Sequence, residues 1–288
     1  MYRIFTDSGS DLSVELAKQI NVEVLPLHSV MTDAKGTTTI DGTQLPVAEF
    51  YELLRKRYSA KTAAVNSDAF TEAFRPVLAA GEDVLYVGFS SGLSTTVNAA
   101  KIAAEDLAEE YPERKVIVID TLAASLGEGL MVWLAAEKRD AGMSIEEVAE
   151  YLLSIRLNLC HWFTVDDLFF LKRGGRVSAA TALVGTALGI KPIMHVDDEG
   201  HLTKVETARG RRKSVTALFD KMVESVVDPD GQTVFISHGD CREDAEYLAS
   251  LIRERFAVKT VLIDYVGQVI GTHSGPGTLA LFFLGAKR

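Results

Sequence analysis

Short runs of β-branched residues alternate with amphipathic stretches through the first half of this 288-residue chain, and few folds accept that alternation. Arg3–Thr6, Val22–Val30, Val84–Phe89 and Val116–Ile119 predict buried strands. Leu12–Ile20, Val47–Tyr58, Ser67–Ala80, Thr95–Tyr111 and Leu122–Ala141 predict helices. Parallel strands need a long crossover, and helices of this length supply one. The fold class expected is therefore α/β, with a mostly parallel sheet covered by helices on both faces. Such sheets bind ligands outside the carboxyl ends of their strands.

The second half changes character. Lys191–Val196 and His201–Glu206 flank Asp197-Asp-Glu-Gly200, which predicts a β-hairpin. A helix over Arg211–Val226, a strand over Thr233–Ser237, a helix over Cys241–Phe256 and a strand over Lys259–Tyr265 complete a mixed α+β region. The boundary is expected near residues 158–162, after the helix Ser144–Ile155. This gives an N-terminal domain over 1–158 and a C-terminal domain over 159–288.

A 47% hydrophobic composition with 24% charged residues describes an ordinary globular chain that buries a substantial core. The net charge of −10 argues against a nucleic-acid binder, which carries a basic stripe. Cys160 and Cys241 are too few and too far apart for a disulfide framework or a cysteine metal cluster. No stretch is long enough to span a bilayer and the N-terminus lacks a signal peptide's apolar core, so a cytoplasmic protein is expected.

Three loops carry more polar detail than packing needs. Gly271-Thr272-His273-Ser274-Gly275-Pro276-Gly277 puts hydroxyls and an imidazole on a glycine-rich loop before the apolar run Thr278–Leu284. Ser90-Ser91-Gly92-Leu93-Ser94-Thr95-Thr96 leads into a helix whose first-turn N–H groups favour an anion. There Ser94 or Thr95 adds a hydroxyl donor, or Ser91 or Ser94 caps the helix. In Thr6–Leu12, Ser10 or Asp11 is expected to start the first helix and the segment to fix the loop, the alternative being that Asp7 and Ser8 point into a cleft.

No Walker loop, zinc-hydrolase spacing or Gly-x-Ser-x-Gly elbow is present. Ser125 in Ala124-Ser-Leu-Gly127-Glu-Gly129 comes nearest to an elbow, but its small neighbours are expected to let a helix pack tightly. Two basic runs, Lys172-Arg173-Gly-Gly-Arg176 and Arg209-Gly-Arg211-Arg212-Lys213, stand out on an acidic chain. They suit phosphate or an acidic partner, or else form solvated clusters at helix ends.

Taken in order, these motifs resemble the DegV family, which includes the FakB-type fatty-acid-binding subunits of bacterial fatty acid kinase. The resemblance runs through Thr6-Asp7-Ser8, Ser90–Thr96, Val118-Ile-Asp120-Thr with Ala124-Ser125-Leu-Gly127, Asp167–Ser178, Gly189-Ile-Lys191-Pro192-Ile and Gly271–Gly277. It implies a two-domain DegV-like fold that encloses one fatty acid, such as palmitate, between its domains. Carried over by motif, Thr62 and Ser94 supply hydroxyls to the carboxylate, with His273 nearby and Thr95 and Thr272 beside them. The family's Thr-Ser-x-Pro is Thr62-Ala63-Ala64-Val65 here, and Thr95 stands where glycine is usual.

The resemblance further implies a substrate carrier with no cofactor, metal or catalytic residue of its own. It would bind a long-chain fatty acid and present its carboxylate to an ATP-dependent fatty acid kinase. Arg173, Arg176, Arg209, Arg211 and Arg212 would then meet phosphate or the kinase. The energetics agree with this expectation. Each buried methylene contributes roughly 0.8 kcal/mol, so a long tail supplies on the order of 10 kcal/mol. Uncharged donors need only repair the carboxylate's desolvation, whereas a bidentate arginine would blunt it as a nucleophile. The alternatives are a stand-alone enzyme using Ser94 with His273, and a binder of another apolar acid.

Overall fold

The computed structural model describes residues 1–178 and 189–288. In chain order its strands are β1 (Tyr2–Asp7), β2 (Val22–Leu25), β3 (His28–Thr32), β4 (Thr39–Asp41), β5 (Ser59–Ala63), β6 (Asp83–Gly88), β7 (Val116–Asp120), β8 (Leu159–Thr164), β9 (Ile190–Val196), β10 (Leu202–Arg209), β11 (Thr233–His238), β12 (Thr260–Tyr265) and β13 (Leu279–Leu284). The helices are α1 (Val14–Gln19), α2 (Val47–Arg55), α3 (Ser67–Ala79), α4 (Thr96–Glu110), α5 (Leu126–Asp140), α6 (Ile145–Ile155), α7 (Leu168–Arg173), α8 (Arg211–Ser225), α9 (Arg242–Arg255) and α10 (Gln268–Ser274).

The first sheet, β2-β1-β6-β7, is parallel throughout, as the alternation of strands and helices requires. Successive residues of its central strands point to opposite faces, and both faces are covered. Phe5, Val84 and Tyr86 pack with α3 and α4, through Phe70, Phe74, Val97 and Ala100. Ile4, Leu85 and Val87 pack with α5 and α6, through Leu130, Met131, Val148 and Leu152.

The same cluster takes in Phe163, Phe235 and Phe282 of the second sheet, so α5 is a layer shared by two sheets. Gly127 and Gly129 make that possible. A Cβ at Gly127 would stand 2.8 Å from the Phe282 ring, and one at Gly129 would stand 2.8 Å from Ser10 O. The second sheet is mixed, in the order β10-β9-β8-β13-β11-β12, with only β11 and β12 parallel. Its other face is covered by α8 and α9.

Four expectations need correction. Val22–Val30 is two strands in two sheets, because Pro26 lacks the N–H a continuing ladder needs. The second of them, β3, sits between β4 and β5 in a three-stranded antiparallel sheet that the periodicity did not predict. The first helix starts at Val14 with Ser13 as its cap, since Asp11 is in the left-handed region at φ 52°. The helix expected from Leu122 begins at Leu126, after a turn in which Asp120 Oδ1 accepts from Leu122 N and Thr121 Oγ1 from Ala123 N. Finally, the Gly-Thr-His segment is helical: α10 runs through His273 and stops at Gly275, whose φ is 78°.

Candidate functional site

A cavity of about 440 Å³ lies beyond the carboxyl ends of β6 and β7, against the second sheet. It falls within the usual range for small-molecule sites. Leu27, Phe89, Leu93, Phe163, Leu171, Leu202, Val266, Val269 and Ile270 make most of its wall apolar. Its exposed end is formed by Thr62 of β5, Ser94 and Thr95 before α4, Arg176 after α7, and His273 of α10. Thr62, Ser94, Arg176 and His273 are half-buried and Thr95 is exposed.

Thr62 Oγ1 and His273 Nε2 are 2.8 Å apart. Burial, with Arg176 and Arg173 adding like charge, holds the His273 pKa down to about 4, so the ring is neutral at pH 7. His273 Nδ1 has no hydrogen-bond partner and is packed against Gly174, where a Cβ would stand 2.2 Å from it. An orphaned acceptor costs less than an orphaned N–H, so the network assigns the proton to Nε2. Nε2–H then donates to Thr62 Oγ1, and the Thr62 hydroxyl is left free to donate into the cavity.

Ser94 Oγ lies 2.8 Å from Thr96 Oγ1 and accepts from Thr96 N at 3.3 Å. Ser94 thus accepts a bond from the first turn of α4 and also lines the cavity. Thr95 occupies the N-cap position without a side-chain cap bond. Arg176 donates from Nε and Nη2 to Leu93 O at 3.2 and 3.0 Å, and from Nη1 to Gly174 O. Its positive field reaches the cavity, while its donors are committed to carbonyls.

The remaining expected residues lie elsewhere. Thr272 does not line the cavity; its hydroxyl bonds Gln268 O and Ser29 Oγ and ties α10 to β3. Arg173 stacks on Phe170 with its guanidinium carbon 4.5 Å from the ring centre. Arg209 is exposed at the end of β10. Arg211 pairs with Asp166 and Asp244, and Arg212 stacks on Tyr247. These last three are not cavity residues. In the Thr6–Leu12 loop, Asp7 turns inward: it accepts from Gly9 N, Phe89 N and the Tyr86 hydroxyl.

The buried end of the cavity was not anticipated. Ser125, His161, Ser237, Ser274 and Thr278 line it, together with Ala124 and Ala280. Ser125 stood within a recognised motif, but nothing marked His161 or Ser237, which occupy strand positions indistinguishable from core. Among the described residues, no group of three or more His, Cys, Asp and Glu is arranged to hold a metal ion, and no helix is long and apolar enough to cross a membrane.

Fold and site together define an α/β protein with two main sheets and one apolar chamber whose open end carries neutral hydrogen-bond donors. The chain belongs to the DegV family: the model described as "Uncharacterised protein, DegV family" matches residues 1–286. A DegV domain-containing protein from Clostridium perfringens is 45% identical over 282 residues, covering 98% of this chain and 97% of that one. A DegV family protein from Thermus thermophilus, described by its fatty acid binding, superposes with a TM-score of 0.85 at 29% identity over 99% of each chain. DegV from Bacillus subtilis, described as a fatty acid binding protein, gives 0.84 at 26% identity over 99% of each.

Proposed function

We propose that the chain binds one long-chain fatty acid, such as palmitate, and presents its carboxylate to a separate ATP-dependent fatty acid kinase that forms the acyl phosphate. The tail fills the apolar chamber, and the carboxylate meets the Thr62 and Ser94 hydroxyls, with Thr95 at the rim. His273 acts through Thr62, orienting its hydroxyl. Arg173 and Arg176 add positive potential where phosphate arrives. The chain is then a cytoplasmic substrate carrier, and phosphoryl transfer belongs to its partner.

One observation carries this reading: an apolar cavity opens onto hydroxyls and a neutral imidazole, with its lone arginine bound to carbonyls. Such a mouth satisfies a carboxylate without neutralising it, which suits an anion that must still attack phosphorus. The fatty-acid binding named for the Thermus and Bacillus relatives supports the ligand class. The enzyme alternative is disfavoured by the pairing itself. His273 bonds Thr62 and Ser94 bonds Thr96, so the Ser94–His273 pair a nucleophilic hydrolase requires is not formed.

Mass spectrometry of lipid extracted from natively purified protein should recover one acyl chain per molecule. Thr62→Ala and Ser94→Ala should each weaken palmitate binding by about tenfold, the effect of losing one hydrogen bond to a charged group. Recovery of no acyl ligand, with no uptake of added palmitate, sinks the reading. For the kinase step, hydroxylamine trapping should detect acyl phosphate only when this chain, ATP and a bacterial fatty acid kinase subunit are combined.

A further inference from the structure

The buried end of the cavity is more polar than a hydrocarbon tail requires. Ser125 reaches it from the turn before α5, Ser237 from β11 and His161 from β8, and none is more than 4% exposed. Ser125 Oγ donates to Asp11 Oδ2 at 2.5 Å and lies 2.9 Å from Ser237 Oγ. The chain Asp11–Ser125–Ser237 therefore ends at a cavity-lining hydroxyl with hydrogen-bonding capacity to spare. His161 Nδ1 and Ser274 Oγ, also in the lining, have no hydrogen-bond partner. Gly127 leaves room for the Phe282 ring that packs on His161, since a Cβ there would stand 2.8 Å from that ring. Buried, unpaired polar atoms are uncommon in native proteins, and each asks for an explanation.

Backbone geometry adds a second line of evidence. Ser125 holds φ 56° and ψ −150°, a conformation essentially reserved for glycine. Strain of this kind persists where the surroundings enforce it, and it concentrates at ligand sites. Here it puts a serine, where glycine would be unstrained, at the wall of the chamber.

The chemistry of the group is neutral. Burial pushes the Asp11 pKa up to about 8 and drives His161 well below its ordinary value. At pH 7 the cluster consists of hydroxyls, an uncharged ring and a protonated acid. Among the described residues lining this end there is no Lys or Arg for a second carboxylate, whereas an alcohol can donate to Ser237 Oγ, whose own proton goes to Ser125.

We infer that this buried end is a second polar subsite, in which Ser237 and His161 hold one hydroxyl on the acyl tail, so that hydroxy fatty acids are ligands of this chain. The inference rests on the fatty-acid reading above and narrows it. An unsubstituted tail leaves the spare lone pair of Ser237 Oγ unused, and a tail hydroxyl at the right carbon pairs it.

The test uses the delipidated full chain, stearate, and a series of hydroxystearates with the hydroxyl near the head, mid-chain and near the tail end. One regioisomer should bind about tenfold tighter than stearate, the gain expected from pairing buried polar groups. That ratio should fall to near unity in Ser237→Ala and His161→Phe, with folding checked by circular dichroism. If His161→Phe does not fold, Ser237→Ala carries the test alone. Hydroxystearates that all bind more weakly than stearate, with a ratio unmoved by Ser237→Ala, would overturn the subsite. Absence of binding by stearate and every hydroxystearate alike would overturn the fatty-acid reading, and the subsite with it.

Discussion

The two ends of the chamber use the same materials, hydroxyls and a histidine, in opposite surroundings. At the open end, Thr62, Ser94 and His273 are half-buried and lie within the field of Arg176 and Arg173. At the closed end, Ser125, Ser237 and His161 are buried, and behind them stands Asp11, whose pKa burial pushes up to about 8. A positive field around neutral donors suits an anion at the first end. A neutral network suits an uncharged group, or a bare tail, at the second. Residue type alone therefore does not set what a polar cluster binds; local charge and access to water do.

The largest effect should come from closing one end and sparing the other. Ala280 of β13 lies in register between Phe163 and Ser237 on the floor of the chamber. Ala280→Phe should fill the space of about four methylenes, a loss of ~3 kcal/mol or ~100-fold in affinity for a long tail. A short-chain acid such as octanoate, needing only the open end, should bind the variant as it binds the unaltered protein. Isothermal titration with both acids checks this, and an equal loss for both would show that the ends are not separable.

A smaller effect should follow at the open end from Gly174→Ala. Gly174 has φ −74°, so alanine fits the backbone; the clash is with His273, 2.2 Å from the new Cβ. The ring must shift, Thr62 loses its fixed partner, and fatty-acid affinity should drop about tenfold, the cost of one broken hydrogen bond to the head-group network. The hydroxystearate-to-stearate ratio should stay unchanged, because the closed end is untouched. Titration of both ligands into the variant measures the two quantities together.

How much of this was legible beforehand follows the same division. The parallel sheet could be read because its strands are continuous apolar runs and its helices keep their period. Ser94 was marked by a hydroxyl-rich turn before a helix, whereas Thr62 and His273 came together through resemblance, since they lie 211 residues apart in the sequence. The three-stranded sheet carrying Thr62 escaped because β4 and β5 are short and largely exposed, with no apolar run to mark them. Ser237 and His161 escaped for the opposite reason. Each sits in a buried strand, and only strand order across β8, β13 and β11 shows that both border one chamber.

The smallest expected effect separates the ends by pH. His273 titrates near 4 in the folded protein and near 6.5 unfolded. Between those values the unfolded chain binds the extra proton, so this group's contribution is full above pH 6.5 and lost as pH falls towards 4. Asp11 is the reverse: it titrates near 8 folded and near 3.8 unfolded. The folded chain holds the extra proton across that window, so stability declines as pH rises from about 4 to 8. His273→Gln should therefore flatten the acid limb of a plot of Tm against pH, and Asp11→Asn the limb between pH 5 and 8. Asp7 and Glu128, also raised by burial, keep part of the second slope in place. Thermal melts across the pH range decide the matter. If Asp11→Asn leaves the slope between pH 5 and 8 unaltered, Asp11 is ionised in the folded protein, and the network behind Ser125 and Ser237 is anionic rather than the neutral one inferred.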